Sequence, residues 1–358
     1  MKAAISDQRL AKRLFLFAIR SSLVAIFLLL AAFLLFASRS LLFAAFSEES
    51  AFAQALGAYQ DRQLEEAFDY ARQAVRQEPR NAEAYVLLGE LYYLRQELQE
   101  ARKAWERALQ LDPSREAGRQ GLERLDREER IEGDLSRADT YPFKIRYASG
   151  EIPVKMGSLQ QILRDAYRQV GQALEYFPDH PIPVILYPEA EFETVKGLSH
   201  RVSGLYDGKI RVPVEPDRMT VRELKRVLWH EYTHALIQDL AKGKCPLWLN
   251  EGVATLQESR VHLVDVALAR EALRHGKLPS FENLWSVSRD EPERLPLYYQ
   301  TSFLLARYLV KRWSWRELNR LLRRLGQDVP ISEALQAQYR TDPVILEKEW
   351  KAWLRQTL

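Results

Sequence analysis

Two histidines four residues apart, with a glutamate after sixteen intervening residues, constrain this chain's fold more than any other feature of its sequence. The segment VLWHEYTHALIQDLAKGKCPLWLNEGVATLQES, residues 227–259, carries His230, Glu231, His234 and Glu251. Just upstream, Thr220-Val-Arg-Glu223 has the spacing of a capping box, which predicts a helix start. On that helix His230 and His234 sit one turn apart and leave the same face, so both imidazoles can meet one cation. Glu231 lies roughly 100° round the helix. There it is poorly placed to join the same tetrahedron but free to act as a base toward water. Two neutral imidazoles leave a zinc ion short of a third protein ligand and of compensating charge, and Glu251 supplies both. Gly243 stops the first helix and Pro246 suits the first turn of a second, so the chain can fold back and present Glu251 to the histidine face. Read blandly, the same residues are two helical histidines and an exposed acid. The apolar flanks Val227, Leu228, Ala235 and Leu236, on a capped helix, speak against that.

The rest of the chain narrows the choice. A single cysteine, Cys245, excludes an intramolecular disulfide and a cysteine-based zinc site. No nucleophile-elbow, Walker or dinucleotide fingerprint is present. Residues 50–113 repeat with a period of 34: Ala67, Ala74 and Pro79 recur as Ala101, Ala108 and Pro113. With Tyr85, Leu88, Gly89, Tyr92 and Trp105 in the second copy, this spacing resembles the tetratricopeptide repeat. A third helix over about 114–130 would cap the stack. The unit could serve as a spacer or could grip a protein partner in its groove.

After Gly133 the texture changes. Phe143–Tyr147 and Pro183–Tyr187 predict strands, and 158–177 predicts an amphipathic helix. Val202–Tyr206 and Lys209–Val214 flank Asp207-Gly208 as a hairpin. Helical periodicity then runs to the C-terminus, with Trp313, Trp315, Leu318, Leu321, Leu322 and Leu325 read as core. Strands followed by a run of helices predict an α+β fold.

At the N-terminus, Ser21–Ser38 is eighteen residues without a charge, preceded by Lys2, Arg9, Lys12, Arg13 and Arg20. This predicts a transmembrane helix with the N-terminus inside and the remainder outside; a cleaved signal peptide is the rival reading. Beyond residue 40 the chain holds 46 basic and 48 acidic residues, a near-neutral body that argues against nucleic acid as partner.

HEYTH followed by WLNEG resembles the gluzincin zinc metallopeptidases, most closely the peptidase MA-like domains found beside tetratricopeptide repeats; the likeness spans roughly residues 140–358. It implies one zinc ion held by His230, His234 and Glu251, with Glu231 as general base. It implies a tyrosine donor for the oxyanion, for which Tyr299 is the match and Tyr298 the rival. It also implies a substrate-pairing edge strand, either Lys209–Val214 or its hairpin partner. Asp239 or Asn250 could orient a ligand imidazole; His200 and His262 read as surface or structural, and Cys245 as no nucleophile.

The expected organisation is therefore a basic tail and anchor over 1–46, a repeat unit with capping helix over 47–132, and a zincin-like domain over 133–358. That domain would have a mixed sheet, an active-site helix and a helical C-terminal subdomain. The expected function is hydrolysis of peptide bonds in a peptide or protein substrate, outside a single-pass inner-membrane anchor. The alternative is a repeat-based adapter whose peptidase-like domain is inactive.

Overall fold

A computed structural model describes residues 50–60, 64–150, 152, 154–195, 205–215, 217–286 and 293–358. Ala55–Leu358 form one compact unit; Met1–Gln54 form another, of which only 50–54 are described.

The repeat unit is built of five helices: α1 (Ala51–Gln60), α2 (Leu64–Gln77), α3 (Ala82–Leu94), α4 (Leu98–Leu111) and α5 (Glu116–Asp134). The Trp105 ring of α4 lies where side chains at Gly89 and Gly121 would be: a Cβ added at these positions would come within 2.5 and 2.4 Å of it. Only glycine lets α3 and α5 approach that ring so closely. Asn81 caps α3 through its side chain, which accepts from the Ala84 amide at 3.0 Å. The third helix is longer than its expected 114–130, running to Asp134 and so through the domain boundary drawn at 132.

The α+β expectation holds. Strands β1 (Ser136–Thr140) and β2 (Phe143–Tyr147) precede α6 (Met156–Leu174), β3 (Ile182–Pro188), α7 (Glu189–Val195), β4 (Leu205–Tyr206) and β5 (Ile210–Val214). The sheet order is β1-β2-β3-β5-β4, with β2, β3 and β5 parallel and both outer strands antiparallel, a mixed sheet. β3 is buried on both faces, which explains its unbroken apolar run Ile-Pro-Val-Ile-Leu-Tyr-Pro. Val184 and Leu186 enter the main core, whereas Ile185 and Tyr187 pack on the other face with Leu135 and Phe192. The hairpin turn is three residues, 207–209, with Gly208 at φ +96°.

Helices complete the domain: α8 (Val221–Ala241), α9 (Leu247–Glu258), α10 (Ala267–Arg274), α11 (Phe281–Ser286), α12 (Leu295–Arg312), α13 (Trp315–Leu325), α14 (Ile331–Tyr339) and α15 (Pro343–Thr357). α8 lies on the sheet against β4 and β5, and α9 is held between α8 and α12. Leu318, Leu321, Leu322 and Leu325 of α13 are buried in the main core.

The membrane anchor is a correction. Ser21–Ser38 lies outside the described residues, and no helix among the described residues is long and apolar enough to cross a membrane. α8, the longest of them at 21 residues, shows why. Arg222, Glu223, Lys225, Arg226, Glu231 and Asp239 punctuate it, and a charge at the bilayer centre costs roughly 2.5–3.5 kcal/mol. The transmembrane helix in the fold class, the membrane as partner, the single-pass inner-membrane location and the extracytoplasmic placement of the catalytic domain are therefore withdrawn.

Candidate metal centre

The site is made by two consecutive helices and the turn between them. Thr220 caps α8 with the expected box: its hydroxyl accepts from the Glu223 amide, and the Glu223 carboxylate accepts from the Thr220 amide at 2.7 Å. At the other end Lys242 and Gly243 take left-handed conformations, φ +47° and +78°, and reverse the chain. Pro246 stands just before α9 as its cap rather than inside its first turn. Glu251 consequently lies one turn into α9, facing α8.

His230, His234 and Glu251 converge, with one potential ligand atom from each lying within 4.8 Å of the others. The Glu251 Oε2 atom is 3.5 Å from Nε2 of His230 and 3.7 Å from Nε2 of His234. Bonds of about 2.0–2.1 Å in a tetrahedral zinc site place ligand atoms roughly 3.4 Å apart. Two imidazole nitrogens and one carboxylate at this spacing form a cluster able to coordinate one zinc ion. The imidazole planes cross at 82°, so the two rings approach a common point from different directions.

The outer nitrogen of each ring is fixed. Nδ1 of His230 is 2.9 Å from Oε2 of Glu258, and Nδ1 of His234 is 2.9 Å from Oδ1 of Asn250. A carboxylate oxygen can only accept, so Nδ1 of His230 carries a proton and Nε2 is the nitrogen left to bind a metal once its own proton is displaced. Glu258 is held in turn by Arg226 at 3.1 Å, one turn before His230 on α8. Burial disfavours the charged form of His230, but hydrogen-bonding Glu251 and Glu258, with Glu231 nearby, outweigh it and raise the pKa to about 10. Burial pushes Glu258 up, yet His230 and Arg226 hold it below the ordinary carboxylate range.

Among the other candidates, Asn250 touches a ligand ring and Asp239 does not. Asp239 instead accepts from Tyr176 and pairs with His180 Nε2 at 2.9 Å. Glu231 is buried beside His230. Tyr298 and Tyr299 occupy the first turn of α12, their ring centroids 5.8 Å apart. Tyr298 is buried, with its hydroxyl in the field of Glu251, while Tyr299 is half-buried. His262 is exposed beyond the end of α9, and His200 lies outside the described residues. Cys245 packs in the inter-helix loop, where burial pushes its thiol far up and makes it a poor nucleophile. Sequence reasoning overlooked Glu258, although it follows Glu251 by seven residues and so shares its helix face.

Residues 207–356 match the Peptidase MA superfamily, and residues 82–115 match the tetratricopeptide repeat. No curated protein matches the chain. A Peptidase MA-like domain, a tetratricopeptide repeat and a His-Glu-x-x-His…Glu triad are together consistent with the active site of a gluzincin-type zinc metallopeptidase.

Proposed function

We propose that this chain, which carries a Peptidase MA-like domain behind a tetratricopeptide repeat, is a zinc-dependent peptidase that hydrolyses peptide bonds in peptide or protein substrates. The observation that carries the reading is the convergence of His230, His234 and Glu251 within one ligand shell, with both histidines oriented from behind.

In this reading His230, His234 and Glu251 hold the zinc. Bound zinc supplies Lewis-acid chemistry: it polarises a carbonyl and makes water acidic enough to attack near neutral pH. Glu231 takes the proton from the attacking water and delivers it to the leaving amine. Tyr299 donates a hydrogen bond to the oxyanion that develops on the substrate. Its partial exposure lets it meet a substrate, whereas Tyr298 is only 2% exposed. Substrate backbone adds to the sheet along its β4–β5 edge, beside α8.

The test is hydrolysis of a fluorogenic peptide library by the full chain and by two variants, with zinc measured in parallel. Glu231→Gln is expected to abolish turnover while retaining about one zinc per chain, the stoichiometry a three-ligand site implies. Tyr299→Phe is expected to lower kcat by about 10²–10³-fold. Undiminished turnover in Glu231→Gln would remove the base assignment, and an unaltered Tyr299→Phe would remove the donor. A metal-replete wild type that cleaves nothing favours the adapter reading.

A further inference from the structure

The sheet face turned away from α8 carries buried charge. Arg211, on β5, is 1% exposed, and Lys209 just before it is 6% exposed. Their partners come mostly from the repeat unit. Arg211 donates to Glu128 Oε2 at 2.9 Å and to Glu132 Oε1 at 3.1 Å, both on α5. It also donates to the hydroxyl of Tyr93 on α3 at 3.2 Å, and that hydroxyl itself contacts Glu128. Lys209 Nζ is 2.9 Å from each carboxylate oxygen of Glu132. Within the sheet domain, Asp207 accepts from Arg211 Nε at 3.0 Å, and the Tyr187 hydroxyl bridges Arg211 and Glu132. At the hairpin tip, Gln96 donates to the Asp207 carbonyl at 3.1 Å. A side chain at Gly208 would meet Gln96 at 2.8 Å.

Helical repeat arrays grip extended segments with side chains from successive helices. Here α3 and α5 grip an extended segment of their own chain, reading two cations spaced i and i+2 with two carboxylates. Burial works against the charge on Arg211 and Glu132, but Asp207, with Glu128 and the Tyr93 and Tyr187 hydroxyls beside it, keeps Arg211 ionised, and Lys209 together with Arg211 holds Glu132 below the ordinary carboxylate range. A second contact runs from Glu66 on α2 to Lys244 at 3.3 Å, in the loop joining the two metal-bearing helices; Lys244 also pairs with Asp328.

We propose that the ligand of this repeat unit is the chain's own β4–β5 hairpin, and that Gln96, Glu128 and Glu132 are positioning residues that set the substrate-binding edge relative to the metal site. The part concerning substrate rests on the peptidase reading above. A hairpin so clasped has its register set from both faces of the sheet, by α8 on one side and by ion pairs on the other. An outside protein docking on the same face of α3 and α5 would have to displace the hairpin.

The test compares the full chain with Glu128→Gln/Glu132→Gln by amide hydrogen exchange, zinc content and steady-state hydrolysis of a short peptide. Exchange across residues 205–214 is expected to quicken by about tenfold or more, with α8 and α9 unchanged. Zinc binding should persist, and KM should rise several-fold more than kcat falls, roughly as for a loosened binding edge. A folded double variant with unchanged hairpin exchange and unchanged KM overturns the proposal. If the double variant does not fold, Gln96→Ala decides: it removes one hydrogen bond and should quicken hairpin exchange to a smaller extent, and no change overturns the clasp. Failure of the wild type to hydrolyse anything counts against the peptidase reading, leaving exchange to judge the clasp alone.

Discussion

His230 depends on Glu258 twice, for the tautomer that leaves Nε2 available and for the ring orientation that aims it at Glu251. Removing that carboxylate leaves the ring free to rotate and strips Arg226 of its partner. Glu258→Ala should therefore weaken zinc binding by about 10–100-fold, measured by competition with a chromophoric chelator while circular dichroism reports an intact fold. Equal affinity in the variant would show that packing alone orients the imidazole. The ligands themselves were plain in the sequence because the chemistry needs His230 and His234 one turn apart on one helix. Asn250 could be named from its place next to Glu251, but not chosen over Asp239. That choice turns on which way α9 faces α8, and Asp239, further along α8 past His234, is engaged by His180 and Tyr176.

At the scale of elements, the seam between α9 and α12 is closed by an absent side chain. A Cβ on Gly252 would lie 2.4 Å from the carbonyl oxygen of Ser302, so the two backbones meet directly beside Glu251 and one turn from Tyr298. Gly252→Ala should push α12 outward at a cost of about 1–3 kcal/mol, more than the gain of roughly 1 kcal/mol in helix propensity returns. Urea unfolding measures this, and a stabilised variant would mean the seam parts freely. Elements were legible where their apolar period was clean: β2 matches its expected span, and α6 buries Leu159, Ile162, Leu163, Ala166, Val170 and Leu174 as its spacing required. β1 was not foreseen, because Ser-Arg-Ala-Asp-Thr has no apolar alternation and pairs only as an edge on β2. The hairpin was expected around Asp207-Gly208, yet the turn takes in Lys209 as well, whose side chain is drawn into the ion pairs with Glu132.

For the molecule as a whole, a metal bound at His230, His234 and Glu251 would join two helices that are already packed together. Trp248, Leu249 and Val253 of α9 share one core with Leu228, Tyr232 and Leu236 of α8. Zinc present at about a thousand times its dissociation constant adds roughly 4 kcal/mol to stability. Chelation should accordingly lower Tm by about 5 °C while leaving a single cooperative transition. Calorimetry of the metal-free chain checks this, and loss of any transition would make the metal a condition of folding. The sequence by itself determined what local spacing can encode: the histidine pair, the returning glutamate, the repeat and the α+β order of elements. Tertiary structure alone decided that Glu258 steadies His230, that β4 rather than β5 is an edge of the sheet, and that Arg211 is held between Glu128, Glu132 and Asp207. Those pairings join residues on different elements, most of them dozens of positions apart. Periodicity and capping act over a few residues: they put Glu258 on the same helix face as Glu251, but which partner it meets across the helices is decided only once the chain has closed on itself.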